Sequence, residues 1–295
     1  MKNAIAVKRA LGAALVAACT ALPVVVTASP AAAQPAVPAV QSPAFSPVGE
    51  VASSRPAYYT YSGYTLSQHQ RQGKKLAAKG YRPISLSLAG SRISAVWVKT
   101  AGPAWSSRAG LSHAAFDREV RKMRSKGYAP TIITSSGGSF AGVFEKKNAG
   151  WQIQWGMTSS QFKKVDKREG NKGRVLVSMT AYGSASAPRY AGVWQQGSSG
   201  HGWATGYTAS QLNKLIKKND KKGYYPRQVV VAPDGTYGAV FHPSTGRWWA
   251  YYGLTSSQLD RKHKTYGKQG YYPVSVDGKH VQGYGTVYAA VWVKN

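Results

Sequence analysis

The chain has 295 residues, 39 Lys and Arg against 10 Asp and Glu, a formal net charge of +29, and a single cysteine. That lone Cys19 excludes a disulfide framework and any site built from several thiolates. So large a positive excess predicts attraction to anionic partners and says nothing about fold, while ten acids leave little material for carboxylate chemistry.

Residues 1–33 read as a signal peptide. Lys2, Lys8 and Arg9 precede an apolar run from Ala10 to Val26, interrupted at Pro23, and Ala31-Ala32-Ala33 offers small residues for cleavage before Gln34. The run is too short and too broken to span a membrane. The chain is therefore expected to be secreted, and the alanine-rich signal points to a bacterial source. Val16-Ala17-Ala18-Cys19 also resembles a bacterial lipobox, so lipid anchoring through Cys19 is the alternative. Cleavage at Gln34 would remove three cations and leave +26. Residues 34–56 hold five prolines (35, 38, 43, 47 and 56) and almost no charge, the composition of a disordered leader.

From residue 57 onward a unit recurs. Glycines stand seventeen apart at Gly63/Gly80, Gly110/Gly127, Gly156/Gly173, Gly206/Gly223 and Gly253/Gly270. Two residues after the first glycine comes Thr65, Ser112, Thr158, Thr208 or Thr255. Three further on comes Gln68, Ala115, Gln161, Gln211 or Gln258. Thr-x-x-Gln is a capping box: the hydroxyl accepts from the N3 amide and the Gln side chain reaches back to the cap amide. Leu111/Phe116, Met157/Phe162, Tyr207/Leu212 and Leu254/Leu259 match a hydrophobic staple across each cap, with Tyr64/His69 a weaker version. The second glycine supplies a left-handed C-terminal stop. A helix with a narrow apolar face, such as Leu212, Leu215 and Ile216, is predicted between each pair.

A β-hairpin follows each helix, opened by Gly-Tyr-x-Pro and returning through Ala95-Val-Trp97, Gly142-Val-Phe144, Gly192-Val-Trp194, Ala239-Val-Phe241 or Ala290-Val-Trp292. A third strand carrying Trp105, Trp151, Trp203 or Trp248-Trp249 runs into the next helix. The fold class is thus α+β, with five tandem helix–strand–strand–strand repeats near 63–109, 110–155, 156–205, 206–252 and 253–295. The last unit lacks its tryptophan strand, and Tyr58–Tyr61 ahead of the first helix resembles it. A closed propeller-like ring is therefore expected, sealed by residues 57–62 against 288–294; an open superhelical array is the alternative. Longer loops are expected at 182–189 and 277–286.

Gly253-Leu254-Thr255 with Gln258, Lys79-Gly80-Tyr81-Arg82-Pro83 and Tyr288-Ala-Ala-Val-Trp292 give the chain a family resemblance over residues 57–295. It resembles the bacterial tandem repeat domain that also forms the N-terminal part of polyglycine hydrolases. In those hydrolases a β-lactamase-like serine-hydrolase domain follows the repeats and performs the chemistry. The resemblance implies a secreted repeat module for recognition, without catalytic machinery of its own. The third copy departs from the pattern, with Arg174-Val-Leu176 in place of Tyr-x-Pro.

Candidate chemistry is sparse. Ser160-Gln-Phe-Lys163 spells the Ser-x-x-Lys nucleophile motif, yet a serine in a first helical turn is already explained by capping preference. The six histidines show no His-x-x-x-His or Glu-x-x-His spacing, so neither a metal nor a cofactor is expected. Asp117, Asp166 and Asp260 read as early-helix charges that complement the dipole. Charge placement is the stronger feature. The five helical stretches carry 23 Lys and Arg against six Asp and Glu. Lys163, Lys164, Lys167, Arg168, Lys214, Lys217, Lys218, Lys221, Lys222, Arg261, Lys262 and Lys264 are the candidate binding residues. The expected partner is an anionic cell-wall or extracellular polymer or an acidic protein, bound by a monomer that does not span the membrane. A peptide-hydrolysing or hydrolase-associated protein is the alternative.

Overall fold

The computed structural model describes residues 39–41, 55–244 and 246–294. The signal segment, Cys19 and most of the 34–56 leader lie outside the described residues. Five repeats follow one another, each with one helix and three antiparallel strands. The first holds β2 (Tyr58–Tyr64), α1 (Leu66–Ala78), β3 (Tyr81–Ala89) and β4 (Arg92–Lys99) after a short strand β1 (Ala39–Gln41). The second holds β5 (Trp105–Leu111), α2 (His113–Ser125), β6 (Tyr128–Ser136) and β7 (Ser139–Lys146). The third holds β8 (Trp151–Met157), α3 (Ser159–Gly170), β9 (Arg174–Gly183) and β10 (Pro188–Gln196). The fourth holds β11 (Gly202–Tyr207), α4 (Ala209–Asp220), β12 (Tyr224–Val231) and β13 (Tyr237–Pro243). The fifth holds β14 (Arg247–Leu254), α5 (Ser256–Lys268), β15 (Tyr272–Val281) and β16 (Gly285–Lys294).

The glycine pairs bracket the helices as their chemistry requires. Both members of every pair take positive φ, +71° to +76° at the first and +70° to +86° at the second. The first glycine falls beside a register shift that ends the incoming strand, as at Tyr61/Tyr64 against β4. The cap residue then accepts from the N3 amide in all five helices, and the full reciprocal box forms at Thr65, Thr158, Thr208 and Thr255. Ser112 caps alone because Ala115 has nothing to return.

The strand before each helix hydrogen-bonds to the hairpin after it, giving sheet orders β2-β4-β3, β5-β7-β6, β8-β10-β9 and β11-β13-β12. A structural repeat therefore reads strand–helix–strand–strand. The expected seal does not form: Tyr58–Tyr64 pairs with β4 of its own repeat, and the fifth sheet takes its third strand from β14. Among the described residues no sheet closes on itself. β1 adds to the outer edge of β14, so the fifth sheet is four-stranded.

Hairpin return strands divide their faces by the period-2 rule. Ala95 and Trp97 pack with Leu76 of α1, whereas Val96 packs into the core of the fifth repeat. Val143, Val193, Val240 and Val291 likewise pack into the repeat before their own. Each apolar cluster thus joins a helix, its own sheet and the face of a neighbouring sheet.

The inner strands β3, β6, β9, β12 and β15 are sheet edges, and their free N–H groups need acceptors. Side chains of the following repeat supply them. Leu88 N–H donates to Thr134 Oγ1 at 3.1 Å, and Ile133 and Ser135 N–H to Ser178 Oγ and Thr180 Oγ1 at 3.2 and 3.3 Å. Met179 N–H donates to Gln228 Oε1 at 2.9 Å, and Val231 N–H to Asp277 Oδ2 at 2.8 Å. Val276 and Gly278 N–H donate to Ser85 and Ser87 Oγ of the first repeat at 3.0 and 2.8 Å. The polar positions of Ile84-Ser-Leu-Ser-Leu88 are therefore buried connectors between repeats. Of the segments expected as long loops, 277–286 is largely strand, with Asp277 and Lys279 drawn into this buried network, whereas in 182–189 residues 184–187 do form a loop between β9 and β10. Asp277 accepts from Ser87 Oγ at 2.6 Å, and Lys279 Nζ donates to Leu88 and Ser135 carbonyls at 3.3 and 2.6 Å. Burial pushes the Asp277 carboxyl up and the Lys279 ammonium down.

Candidate functional site

Each helix sits against the strand that opens a neighbouring repeat. A β-carbon on Gly110 would meet Leu66 of α1, Arg124 of α2 lies 3.8 Å from the Trp151 ring centre, and Tyr252 OH donates to Ala209 O of α4 at 3.3 Å. The helices therefore lie at the junctions between repeats.

Lys163, Lys164 and Lys167 on α3, Lys214, Lys217 and Lys218 on α4, Lys221 and Lys222 just beyond it, and Arg261 and Lys264 on α5 are all exposed. Among the described residues none of these ten forms an ion pair. Two candidates are engaged elsewhere. Lys262 Nζ lies 3.9 Å from the centre of the Tyr251 ring, a cation–π contact. Arg168 Nε donates at 2.8 Å to Glu169, a buried carboxylate that Arg174 also holds. Burial pushes the Glu169 carboxyl up, but its bonds to Arg174 and Arg168 and the nearby Lys172 outweigh that, and the net shift is downward.

Ser160 and Lys163 are both on the exposed side of α3, and Ser160 Oγ lies 3.1 Å from the Thr158 hydroxyl. That geometry is a helix cap; among the described residues no base lies within hydrogen-bond reach of Ser160. Asp166 departs from the dipole reading. It is in the middle of α3, not its first turn, where it accepts from Trp194 and Trp203 Nε1–H at 2.9 and 2.7 Å and lies 2.9 Å from His201 Nε2. Among the described residues there is no group of three or more His, Cys, Asp or Glu that could hold a metal ion, and no helix is long and apolar enough to cross a membrane.

Sequence spacing did not expose a second feature, at the hairpin ends that follow the helices. The residue after Pro of Gly-Tyr-x-Pro is bulged in the first, second, fourth and fifth repeats, and the register shifts there. These residues and their third-repeat counterpart are Ile84, Thr131, Val177, Arg227 and Val274, and all five line one cavity of about 300 Å³. Residues following the Ala-Val-aromatic triplets complete its wall: Glu145 bonded to Arg82 at 2.7 Å, Gln195 to Pro130 O at 2.7 Å and His242 to Leu176 O at 2.9 Å. A second cavity of about 530 Å³ shares Ile84, Arg227 and Val274 with the first. Arg227, Arg247, Lys294, Tyr225, Tyr272 and Trp248 line it, and among the described residues no Asp or Glu does. Aligning the five copies on their second glycines was the signal that could have found this lining column.

No curated protein sequence matches the chain. Five consecutive segments, residues 55–100, 102–147, 148–197, 202–244 and 245–295, match the polyglycine hydrolase-like structural repeat, and their limits follow the strand–helix–strand–strand units. With five copies of that repeat extending from residue 55 to the last residue given, the chain belongs to the polyglycine hydrolase-like structural repeat family.

Proposed function

We propose that this chain is a secreted, non-catalytic binding module whose five repeats close into a propeller-like ring. Its basic helix faces hold an anionic surface polymer or an acidic protein. The observation that carries the reading is the set of exposed cations on and just beyond α3, α4 and α5 that form no ion pair among the described residues, densest at Lys214, Lys217, Lys218, Lys221 and Lys222. A solvated helix face normally mixes both signs of charge; here the sign is strongly one-sided. Closure is supported by the fifth-to-first junction, which uses the same amide-to-side-chain bonds as the other four. A ring would distribute the helices around one rim, so that a flexible polyanion could meet several in turn.

The test is capture of polyglutamate or heparin by the full chain across a salt series. Binding is expected to fall steeply with ionic strength as exposed charges are screened, and K217Q/K218Q/K221Q/K222Q to weaken it about tenfold or more. Capture undiminished at about 1 M salt, where the Debye length is only about 3 Å, would overturn the reading.

A further inference from the structure

We infer that the larger cavity, between the fourth, fifth and first repeats, is a binding site for a carboxylated sugar unit. It lies apart from the outer helix faces and goes beyond the polymer reading. The first argument is an arginine without its counterion. Arg82, Arg108 and Arg174 are buried or half-buried, and each has a carboxylate partner, Glu145, Glu119 and Glu169. Arg227 is half-buried at a position where the other repeats place Ile84, Thr131, Val177 and Val274. Its guanidinium donates to Val274 O at 2.9 Å and to no carboxylate among the described residues. A desolvated cation calls for an anion, and Arg247 and Lys294 on the same wall add to that demand.

The second argument is an unpartnered indole. Trp97, Trp194, Trp203 and Trp292 each donate Nε1–H to a side chain. Trp248 lines this cavity, is 2% exposed, and among the described residues its Nε1–H, like that of Trp155, finds no acceptor. A buried donor left unmade is costly, and a shift of the indole on binding would let a ligand oxygen satisfy it.

The third argument is the kind of ligand. The charged heads and the indole are all donors, which matches an acceptor-rich group such as a carboxylate. Tyr225 and Tyr272 add aromatic surface, against which the C–H face of a sugar ring packs. An extended peptide would instead require backbone acceptors or a free strand edge. The volume of about 530 Å³ falls within the range of small-ligand sites.

Titration calorimetry of the full chain with trigalacturonic acid tests this. Saturable one-to-one binding is expected, with little binding of the trimethyl ester. R247Q and R227Q should each weaken it about tenfold and W248F several-fold, since a charge-assisted bond is removed in each case. Arg247 is exposed, so R247Q separates ligand loss from misfolding. K217Q/K218Q/K221Q/K222Q should leave the trisaccharide affinity within about twofold while reducing polyanion capture, so the two readings fail separately. Absence of saturable binding by the folded chain would overturn the site. So would insensitivity to R227Q and R247Q, and displacement by equimolar inorganic phosphate would reduce it to a plain anion site and remove the sugar assignment.

Discussion

His69 and His263 lie under the aromatic packing of their own repeats. Tyr61 OH is 2.6 Å from His69 Nδ1, and Trp292 Nε1–H donates to His263 Nδ1 at 3.2 Å. Burial lowers both imidazoles from the ordinary 6.5 to about 4. The unfolded chain therefore binds more protons between those values, so stability is complete above about pH 6.5 and is lost as pH falls towards 4. Each histidine carries up to about 3 kcal/mol of that loss. Asp166 acts in the same direction at lower pH: burial raises its carboxyl, but the His201, Trp194 and Trp203 contacts together lower it further. The melting temperature should fall markedly between pH 7 and pH 4.5, and H69Q/H263Q should show a much shallower fall. A wild-type melting temperature flat across that interval would contradict the account. None of this was legible in the sequence. Spacing excluded metal-ligand patterns among the histidines, but their partners are aromatic groups brought close only by the sheet.

The helices, in contrast, could be read almost to the residue. Their limits are set by local chemistry, a hydroxyl at the cap, a glutamine three residues on and a glycine at the far end, and local chemistry is what a sequence displays. Thr208→Ala should cost about 1 kcal/mol, the usual value of an N-cap, whereas Thr208→Ser should stay within a few tenths because the accepting oxygen remains. Denaturant midpoints of the two variants decide this; an alanine as stable as the serine would show that docking alone fixes α4. The strand phase was less legible. A repeat has no origin, so nothing local says whether the tryptophan strand belongs with the hairpin before it or after it. The ladder β5–β7, with Trp105 opposite Glu145, settles that it belongs with the hairpin after it. Ser85 and Ser87 alternate with apolar residues, the period of a solvent face, yet they bond the fifth repeat.

On the scale of the molecule, the cavities and the repeat junctions were the least legible parts, because each is assembled from residues roughly one repeat apart, and from residues about four repeats apart at the fifth-to-first junction. Position-by-position alignment brings Ile84, Thr131, Val177, Arg227 and Val274 into register, but only folding turns that column into a wall. The junctions also provide the sharpest test of the proposed closure. Ser87 Oγ donates to Asp277 Oδ1 at 2.6 Å and accepts from Gly278 N–H at 2.8 Å, both buried. Ser87→Ala leaves the amide without that acceptor and weakens the hold on a carboxylate already raised by burial, at a cost of about 2–4 kcal/mol. Thr134→Ala removes the corresponding acceptor for Leu88 N–H at the first-to-second junction, at about 1–3 kcal/mol. In an open array with nearest-neighbour coupling, loss at the 5–1 contact would loosen the terminal repeats and leave the third nearly unchanged. In a closed ring each repeat is held from both sides, so breaking any one junction weakens all five. Hydrogen exchange should therefore accelerate in the third-repeat strands β9 and β10 in S87A as well as in T134A. If S87A speeds exchange only in the first and fifth repeats, the ring is not the cooperative unit and the closure proposal falls.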